Sequence, residues 1–287
     1  MQSIIQLENN NQIILTGADG RTISYDAFMA RNPKCQLAFK GKNNRLVLPF
    51  DAELMNSKIN FMANSGLCYL ENTLNKKVIL NLSVWENSTF IMGKDCSFNG
   101  FLNAIVSENR TVLIGQRVMF SFGIWIRTSD VHIVLSIESR KIINHGKDVI
   151  IGDDVWIGQG ASLLKGATIG SGTVLGYGSI LTKAVPSNCI CSGAPAKVVK
   201  RQIVWDRQSM HNFSEEEKTD FEETYDFDPK IIYTNEAYPE NLQEFRKQLG
   251  SIQKRTMLDK MAVIATLFEQ PVVIKEKKPS FLASLFE

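Results

Sequence analysis

"IGDDVWIGQGASLLKGATIGSGTVLGYGSILTKAVP", residues 151–186, repeats every six residues. Ile151, Ile157, Leu163, Ile169, Leu175 and Leu181 form an unbroken aliphatic series at that interval. Six is not a helical period, because residues six apart on an α-helix sit about 240° away from each other and cannot line one face. It is a multiple of the strand period of two, so in an extended chain the series stays on one side. The residue after each aliphatic is Gly152, Gly158, Leu164, Gly170, Gly176 or Thr182. Glycine at most of these points suits a sharp bend, since it tolerates backbone angles that other residues resist. Four positions after each aliphatic stand Val155, Ala161, Ala167, Thr173, Ser179 and Val185, all small or β-branched. Short strands, bends and two inward side chains per unit describe a parallel β-helix with three walls, one hexad to a wall and about 18 residues to a coil. That coil stacks Ile151 under Ile169 and Ile157 under Leu175, with coils about 4.8 Å apart. Alternation then turns Val155 and Ile157 inward and Trp156 outward. An indole exposed on a flat wall calls for something to cover it.

Outward from this stretch the pattern loosens. From residue 42 to about 130 the hexads are degraded but visible: Val84 and Phe90, then Met92, Phe98 and Ala104, then Ile114, Phe120 and Ile126. Larger apolar residues are expected to fill the prism there. Residues 1–41 read as short mixed segments with a turn signal at Gly17-Ala18-Asp19-Gly20, suited to an atypical cap over the first coil. Between Ile126 and Ile151 the phase is lost, so "RTSDVHIVLSIESRKIINHGKDVI", residues 127–150, is expected to leave the prism as a loop. Loops projecting from rigid scaffolds often carry binding and catalytic groups. Beyond Lys200 the repeat stops. Residues 214–228 are acidic and open with a capping pair, Ser214 and Glu217. Leu242, Phe245, Leu249, Ile252, Met257, Met261, Ile264 and Leu267 recur at helical spacing over 241–269. The predicted organisation is therefore an N-terminal cap over 1–41, a β-helix domain over 42–204 with its loop at 127–150, and a partly helical extension over 205–287.

Composition narrows the function classes. A net charge of +2 over 287 residues argues against nucleic-acid binding by bulk electrostatics. Five cysteines without a CxxC pair indicate neither a disulfide framework nor a zinc site. The opening "MQSIIQLENNNQIILTG" does not read as a secretory signal. "MAVIATLF", residues 261–268, is too short to cross a bilayer. The expected location is the cytoplasm. The basic-then-apolar end, "PVVIKEKKPSFLASLFE", is read as a helical cap on the last coil or a neighbouring subunit, or as a tail docking at the inner membrane.

The hexads, followed by Thr182-Lys183-Ala184-Val185-Pro186 and Gly193-Ala194-Pro195-Ala196-Lys197-Val198, resemble the left-handed β-helix, or hexapeptide-repeat, acyltransferases. Ser129-Asp130-Val131-His132, Ile143-Asn144-His145-Gly146-Lys147 and Val155-Trp156-Ile157-Gly158 resemble most the bacterial polysialic acid and capsule O-acetyltransferases. The likeness is strong over residues 112–206. It implies an all-β, left-handed parallel β-helix assembled as a homotrimer, with acetyl-coenzyme A as co-substrate, no metal, and a polysaccharide or oligosaccharide acceptor. Capsule-synthesis machinery is a further implied partner, and nucleic acid is not one. The resemblance also places the donor in the groove between adjacent prisms.

The chemistry expected of such an enzyme is removal of a proton from a sugar hydroxyl as it attacks a thioester. A neutral imidazole, with an ordinary pKa near ~6.5, suits that task. The chain has three histidines. His132 occupies the position of the family's catalytic histidine. His145 is the second candidate, as base or substrate contact, and His211 lies beyond the coils without an expected catalytic part. Asp130 could orient the His132 ring, bond the acceptor or cap the loop. The resemblance puts Trp156 at the active site, where it and His132 would meet across a cleft built by two protomers; plain subunit packing is its other reading. Gly158, Gly160 and Gly176 are candidates for close approach of backbone to the coenzyme arm. Lys183 and Lys197 are candidates to meet its phosphates, as is Arg201. Thr182 joins them by position, although related polysialic acid enzymes carry an aromatic there, so stacking on the coenzyme does not carry over. Cys189 and Cys191 are expected to point opposite ways in a strand, and direct transfer is favoured over an acetyl-cysteine intermediate. N-acetylation of an amino-sugar nucleotide is the alternative reaction. A metal-dependent hydratase would need three histidines converging on one ion, and a non-catalytic scaffold would bind no acyl-coenzyme A.

Overall fold

The computed structural model describes residues 2–233 and Ile264. The chain winds a left-handed solenoid of about 7 turns, built almost wholly from parallel strands. Wall one is a 9-stranded sheet that runs from Ser3–Gln6 through Thr111–Ile114, Val149–Ile151 and Thr168–Ile169 to Ala184–Val185. Wall two has 6 strands, among them Met119–Phe120, Trp156–Ile157 and Val174–Leu175. Wall three has 7, from Gln36–Phe39 through Leu102–Val106 and Ile124–Arg127 to Ile180–Leu181. One continuous apolar cluster fills the space between them.

The hexad reading holds from Ile151 to Leu181, and the last coil is shorter, since Ile169 pairs with Val185, 16 residues on. Ile151 pairs with Ile169 and Ile157 with Leu175, as an 18-residue coil requires. Both inward series, the aliphatics from Ile151 to Leu181 and the small residues from Val155 to Val185, are buried. The loosened hexads obey a different count. Thr89 pairs with Thr111 and Leu102 with Ile124, so these coils contain 22 residues. Wall three accounts for part of the increase, because Leu102, Ala104 and Val106 all point inward along one five-residue strand. A wider cross-section must be filled to the same packing density. Phe61, Phe90 and Phe120 are the largest fully buried side chains of this half, and Phe98 and Phe120 stack with centroids 5.4 Å apart. The prism is thus broad where phenylalanine fills it and narrow where Ile, Leu and Ala do.

Both ends are closed by antiparallel pairing, which protects the edges a solenoid would otherwise expose. Ser3–Gln6 pairs antiparallel with Gln12–Thr16, which already pairs parallel with Arg45–Pro49. The helix Tyr25–Arg31, capped by Ser24, buries Phe28 in the first coil. At the other end the Gly193-Ala194-Pro195-Ala196-Lys197 string turns Cys189–Gly193 back onto Ala196–Arg201. Here the expectation for the two cysteines fails. Residues two apart in a strand share a face, so Cys189 and Cys191 both point into the prism, Ile190 lies between them, and their sulfurs are 3.5 Å apart. Each thiol alters its neighbour: the hydrogen bond between them holds Cys189 below the usual thiol range, and the same contact together with burial pushes Cys191 up.

After Arg201 the chain runs back as a strap over the corner between walls one and two. The side-chain amide of Asn188 donates to the carbonyls of Ile203 (3.0 Å) and Ile231 (3.1 Å). The Trp205 indole N–H donates to the carbonyl of Asp154 at 2.7 Å. The strap carries the helix Glu215–Thr224, where Ser214 and Glu217 form the expected capping box. The helical pattern over 241–269 and the basic end lie outside the described residues, apart from Ile264, which is helical and buried. Among the described residues no helix is long and apolar enough to cross a membrane.

Candidate active site

The excursion leaves the prism at the corner between walls three and one. Its two legs are tied to the prism at this foot. The Lys147 N–H donates to the Thr128 carbonyl at 2.9 Å, and the Gly146 N–H to the Glu108 carboxylate at 2.6 Å. The hydroxyls of Ser107 and Ser129 lie 2.7 Å apart. The far part closes on itself as a small hairpin, with Leu135 bridged to Ile142 and the Ser136 N–H on the Lys141 carbonyl at 3.0 Å. Between foot and hairpin lies His132. Its N–H donates to the Asp130 carbonyl (2.9 Å) and its carbonyl accepts from the Asn144 amide (2.8 Å). The imidazole is exposed and takes no hydrogen bond from the described residues.

The Asp130 carboxylate is committed elsewhere. Lys165, from the next coil, bonds it and also donates to the Asn144 carbonyl at 2.7 Å. The Asn144 amide adds a bond to the same carboxylate oxygen at 3.2 Å. The Lys165 hydrogen bond, helped by Asn144, holds the Asp130 carboxyl below its usual range. Of the roles open to Asp130, this geometry is that of a loop cap. His145 is exposed at the foot of the loop, beside a Gly146 that sits close against Glu108 and the Thr128 carbonyl.

Trp156 projects from wall two between two buried neighbours, Val155 and Ile157, and is 37% exposed. Its indole N–H donates to the Ser121 hydroxyl at 3.2 Å. Trp205 of the strap covers part of it, with ring centroids 6.0 Å apart and planes inclined by 44°. Arg207 anchors the strap there by bonding the Ser97 hydroxyl and the Arg117 carbonyl. A cavity of about 220 Å³ lies between the strap and the corner, lined by Asp154, Asn188, Trp205 and Tyr225 among others.

In a triangular prism each corner stands opposite one wall. The loop bearing His132 leaves from the corner between walls three and one, and the wall opposite that corner is wall two, which bears Trp156. The remaining candidates divide in the same way. Thr182 and Lys183 lie exposed on the His132 corner, where the register of Leu163 with Leu181 sets Lys183 one coil beyond Lys165. Gly158, Gly160 and Gly176 lie on the corner between walls two and three. Lys197 is on the terminal hairpin, paired with Ser192.

The glycines have a role within the solenoid itself. A Cβ on Gly158 would sit 2.6 Å from the Leu175 carbonyl oxygen, and Gly160 turns with φ +70°. The amide protons of Gly158, Gly160 and Gly176 are spent on the carbonyls of Leu175, Phe122 and Cys191. They therefore offer a ligand bare backbone surface but no free donor. Among the described residues no cluster of three His, Cys, Asp or Glu side chains is placed to hold an ion.

Residues 148–183 match a family model described as bacterial transferase hexapeptide (six repeats). Over 178 residues the chain is 32% identical to a polysialic acid O-acetyltransferase of Neisseria meningitidis, covering 62% of this chain and 82% of that protein. The chain belongs to the hexapeptide-repeat acyltransferases. A second such relative, the polysialic acid O-acetyltransferase of Escherichia coli O1:K1 / APEC, is 39% identical over 140 residues. That match spans 48% of this chain and 45% of the relative's length. The solved structure of NeuO, described as a polySia-specific acetyltransferase, superposes with a TM-score of 0.58 at 31% identity. It covers 67% of this chain and 88% of that one.

Within this hexapeptide-repeat protein, sequence reasoning missed the residues that hold the candidates in place. Lys165 carried only an indirect signal, in that Leu164 before it, like Thr182, stands where the other four hexads carry glycine. Asn144 was visible only as part of the Ile143–Lys147 motif, with no role attached, and Glu108 carried no signal, because both sit in stretches without a repeat. Trp205 lies just past the last coil, where no period remained to say which wall it would cover.

Proposed function

We propose that the protein is an O-acetyltransferase that moves the acetyl group of acetyl-coenzyme A to a hydroxyl of a bacterial surface or capsular polysaccharide, with sialic acid polymers as the first acceptors to test. The observation that carries this reading is the kinship to polysialic acid O-acetyltransferases, to whose motifs the segments holding His132 and Trp156 bear a resemblance in sequence. In this reading loop 127–150 is the catalytic arm of the 42–204 solenoid, with 1–41 closing one end and 205–287 extending the other.

His132 accepts the proton of the attacking hydroxyl, and the hydroxyl oxygen bonds to the thioester carbonyl carbon. The tetrahedral intermediate collapses with loss of the coenzyme thiolate, which takes the proton back from the imidazolium. An exposed imidazole fixed through its backbone suits this task, since the ring is left free for substrate. Trp156 gives the acceptor or the thioester a flat apolar surface to lie against, and preorganisation of this kind lowers the barrier.

The division of the candidates between opposite sides of the prism supports a site between protomers of a homotrimer. One prism then contributes its His132 corner with Thr182 and Lys183, and the next contributes Trp156 with the Gly158, Gly160 and Gly176 corner. Lys183 and Lys197 serve as charge partners for the coenzyme phosphates. The hairpin supports the same assembly, because its apolar side chains face outward and Ile137 is 99% exposed. The location that fits this acceptor and donor is the cytoplasm, beside the machinery that makes the polymer.

The test is incubation of sialic acid oligomers with protein and acetyl-coenzyme A, followed by mass spectrometry. Acetylated oligomer is expected from the wild type. His132→Ala should lower transfer by about 10²-fold or more while leaving assembly and coenzyme binding intact. Acetyl passing instead to an amino-sugar nucleotide offered in a parallel incubation would replace this reading with N-acetylation.

A further inference from the structure

We infer that Lys165, acting with Asn144, is a positioning residue that locks the His132 loop onto the coil beneath it; the catalytic part of this inference rests on the role proposed for His132. The loop has little else to fix it at that height. Every side chain from Val131 to Ile143 is exposed except the half-buried Ser136, so apolar burial does not order this part of the chain. The foot is secured by Ser107, Glu108 and Thr128, and the hairpin closes only on itself.

Between the two, apart from the Ile143 N–H on the Val134 carbonyl at 3.0 Å, the ties across the legs run through the Asn144 side chain. Its amide reaches the Asp130 carboxylate and the His132 carbonyl, and its oxygen accepts the Val134 N–H at 2.9 Å. The Asp130 and Val134 ties flank the imidazole-bearing residue on its two sides, and the third holds its own carbonyl. Lys165 fastens this unit to the prism by grasping one group from each leg, the Asp130 carboxylate and the Asn144 carbonyl.

The chemistry of Lys165 suits a clamp. Its side chain is only 19% exposed, against 46% for Asp130, so the ammonium is drawn in from solvent and the pair is less screened than an open surface bridge. An ammonium carries several donors, and two of them are used here on partners from different legs. The scaffold beneath is rigid, since Lys165 sits in the corner between Leu163 and Thr168, both in wall strands of the narrow coils. A base placed on a loop performs only as well as the loop is held. Misplacement of about 1 Å by a change away from the chemistry can cost 10²-fold in rate.

The experiment compares wild type, Lys165→Met, Lys165→Arg and Asn144→Ala in two measurements. Amide hydrogen exchange is followed across residues 130–146, and kcat and KM are determined with acetyl-coenzyme A and a sialic acid oligomer. Lys165→Met keeps the length of the stem but removes the donors. It should speed exchange at the His132 and Val134 amides by about tenfold. It should also lower kcat by about tenfold or more with both KM values within about twofold. Lys165→Arg should restore most of kcat and of the protection, and Asn144→Ala should reproduce the loss.

Unchanged exchange in Lys165→Met would overturn the clamp. Faster exchange with unchanged kcat would make it structural only, and a raised acceptor KM with unchanged exchange would make Lys165 a substrate contact. If the wild type transfers no acetyl group to any sialic acid oligomer, the reading of His132 fails, while the exchange measurement alone still decides whether Lys165 holds the loop.

Discussion

Trp156 and Asp130 illustrate how much a single residue's neighbours decide. Alternation alone predicts that Trp156 faces outward, and it does, yet its partial cover by Trp205 comes from a segment with no periodic relation to it. Asp130 was legible as a candidate beside His132, but its partner was not, because Lys165 is 35 residues away in sequence and adjacent only once the coils stack. The bond from Lys165 lowers the folded pKa of Asp130. A depressed carboxyl contributes stability that is present above its unfolded value near ~3.9 and lost as pH falls through the folded value. Protection of the loop amides, corrected for the intrinsic pH dependence of exchange, should therefore stay level between about pH 5.5 and 8. Protection that faded inside that window would show that another titrating group holds the loop. Cys189 and Cys191 teach the opposite lesson: strand geometry by itself puts them on one face, and the coil interior then brings the sulfurs together.

At the scale of the element, the coil is the unit, and its size follows from what fills it. Hexads of Ile, Leu, Val and Ala close in 18 residues, and the phenylalanine-filled coils need 22. The six-residue spacing runs in the wide coils from Met92 on wall one through Phe98 on wall two to Ala104 in the middle of the wall-three strand, which is why these three stood out. It is interrupted there because Leu102, Ala104 and Val106 follow the plain period of two along a longer strand. The tight corners of the narrow coils depend on missing side chains. At Gly158 an added Cβ would meet the Leu175 carbonyl oxygen at 2.6 Å and the Tyr177 nitrogen at 2.8 Å, both parts of a backbone that cannot swing aside. Gly158→Ala should cost about 1–3 kcal/mol of stability, read from urea unfolding. A loss near zero would mean that the coils slide freely past one another.

For the whole molecule, the body of the prism separates His132 from Trp156, so in the proposed homotrimer the assembly would be part of the chemistry. A site made by two protomers can be tested with two dead enzymes. His132→Ala and Trp156→Ala variants, each inactive alone, are unfolded together at equal amounts and refolded as mixed trimers. Random mixing leaves about one quarter of interfaces with both residues intact, so about one quarter of wild-type activity should return. A site contained in one protomer would return none. Substituting the exposed apolar residues of the hairpin bears on the same proposed interface, since they have no cover among the described residues.

The repeat by itself determined the solenoid, the inward and outward faces of residues 151–186, the outward Trp156 and the departure of loop 127–150 from the prism. These are local consequences of a short period, and every hexad restates them. Tertiary structure alone decided the width of each coil, the strap over Trp156, the clamp from Lys165 to Asp130 and Asn144, and the placement of His132 opposite the Trp156 wall. The physical reason is that a solenoid brings residues together by stacking whole coils and by folding its ends back. Contacts of that kind depend on how many residues each coil consumes and where an aperiodic segment comes to rest, and no six-residue pattern records either quantity.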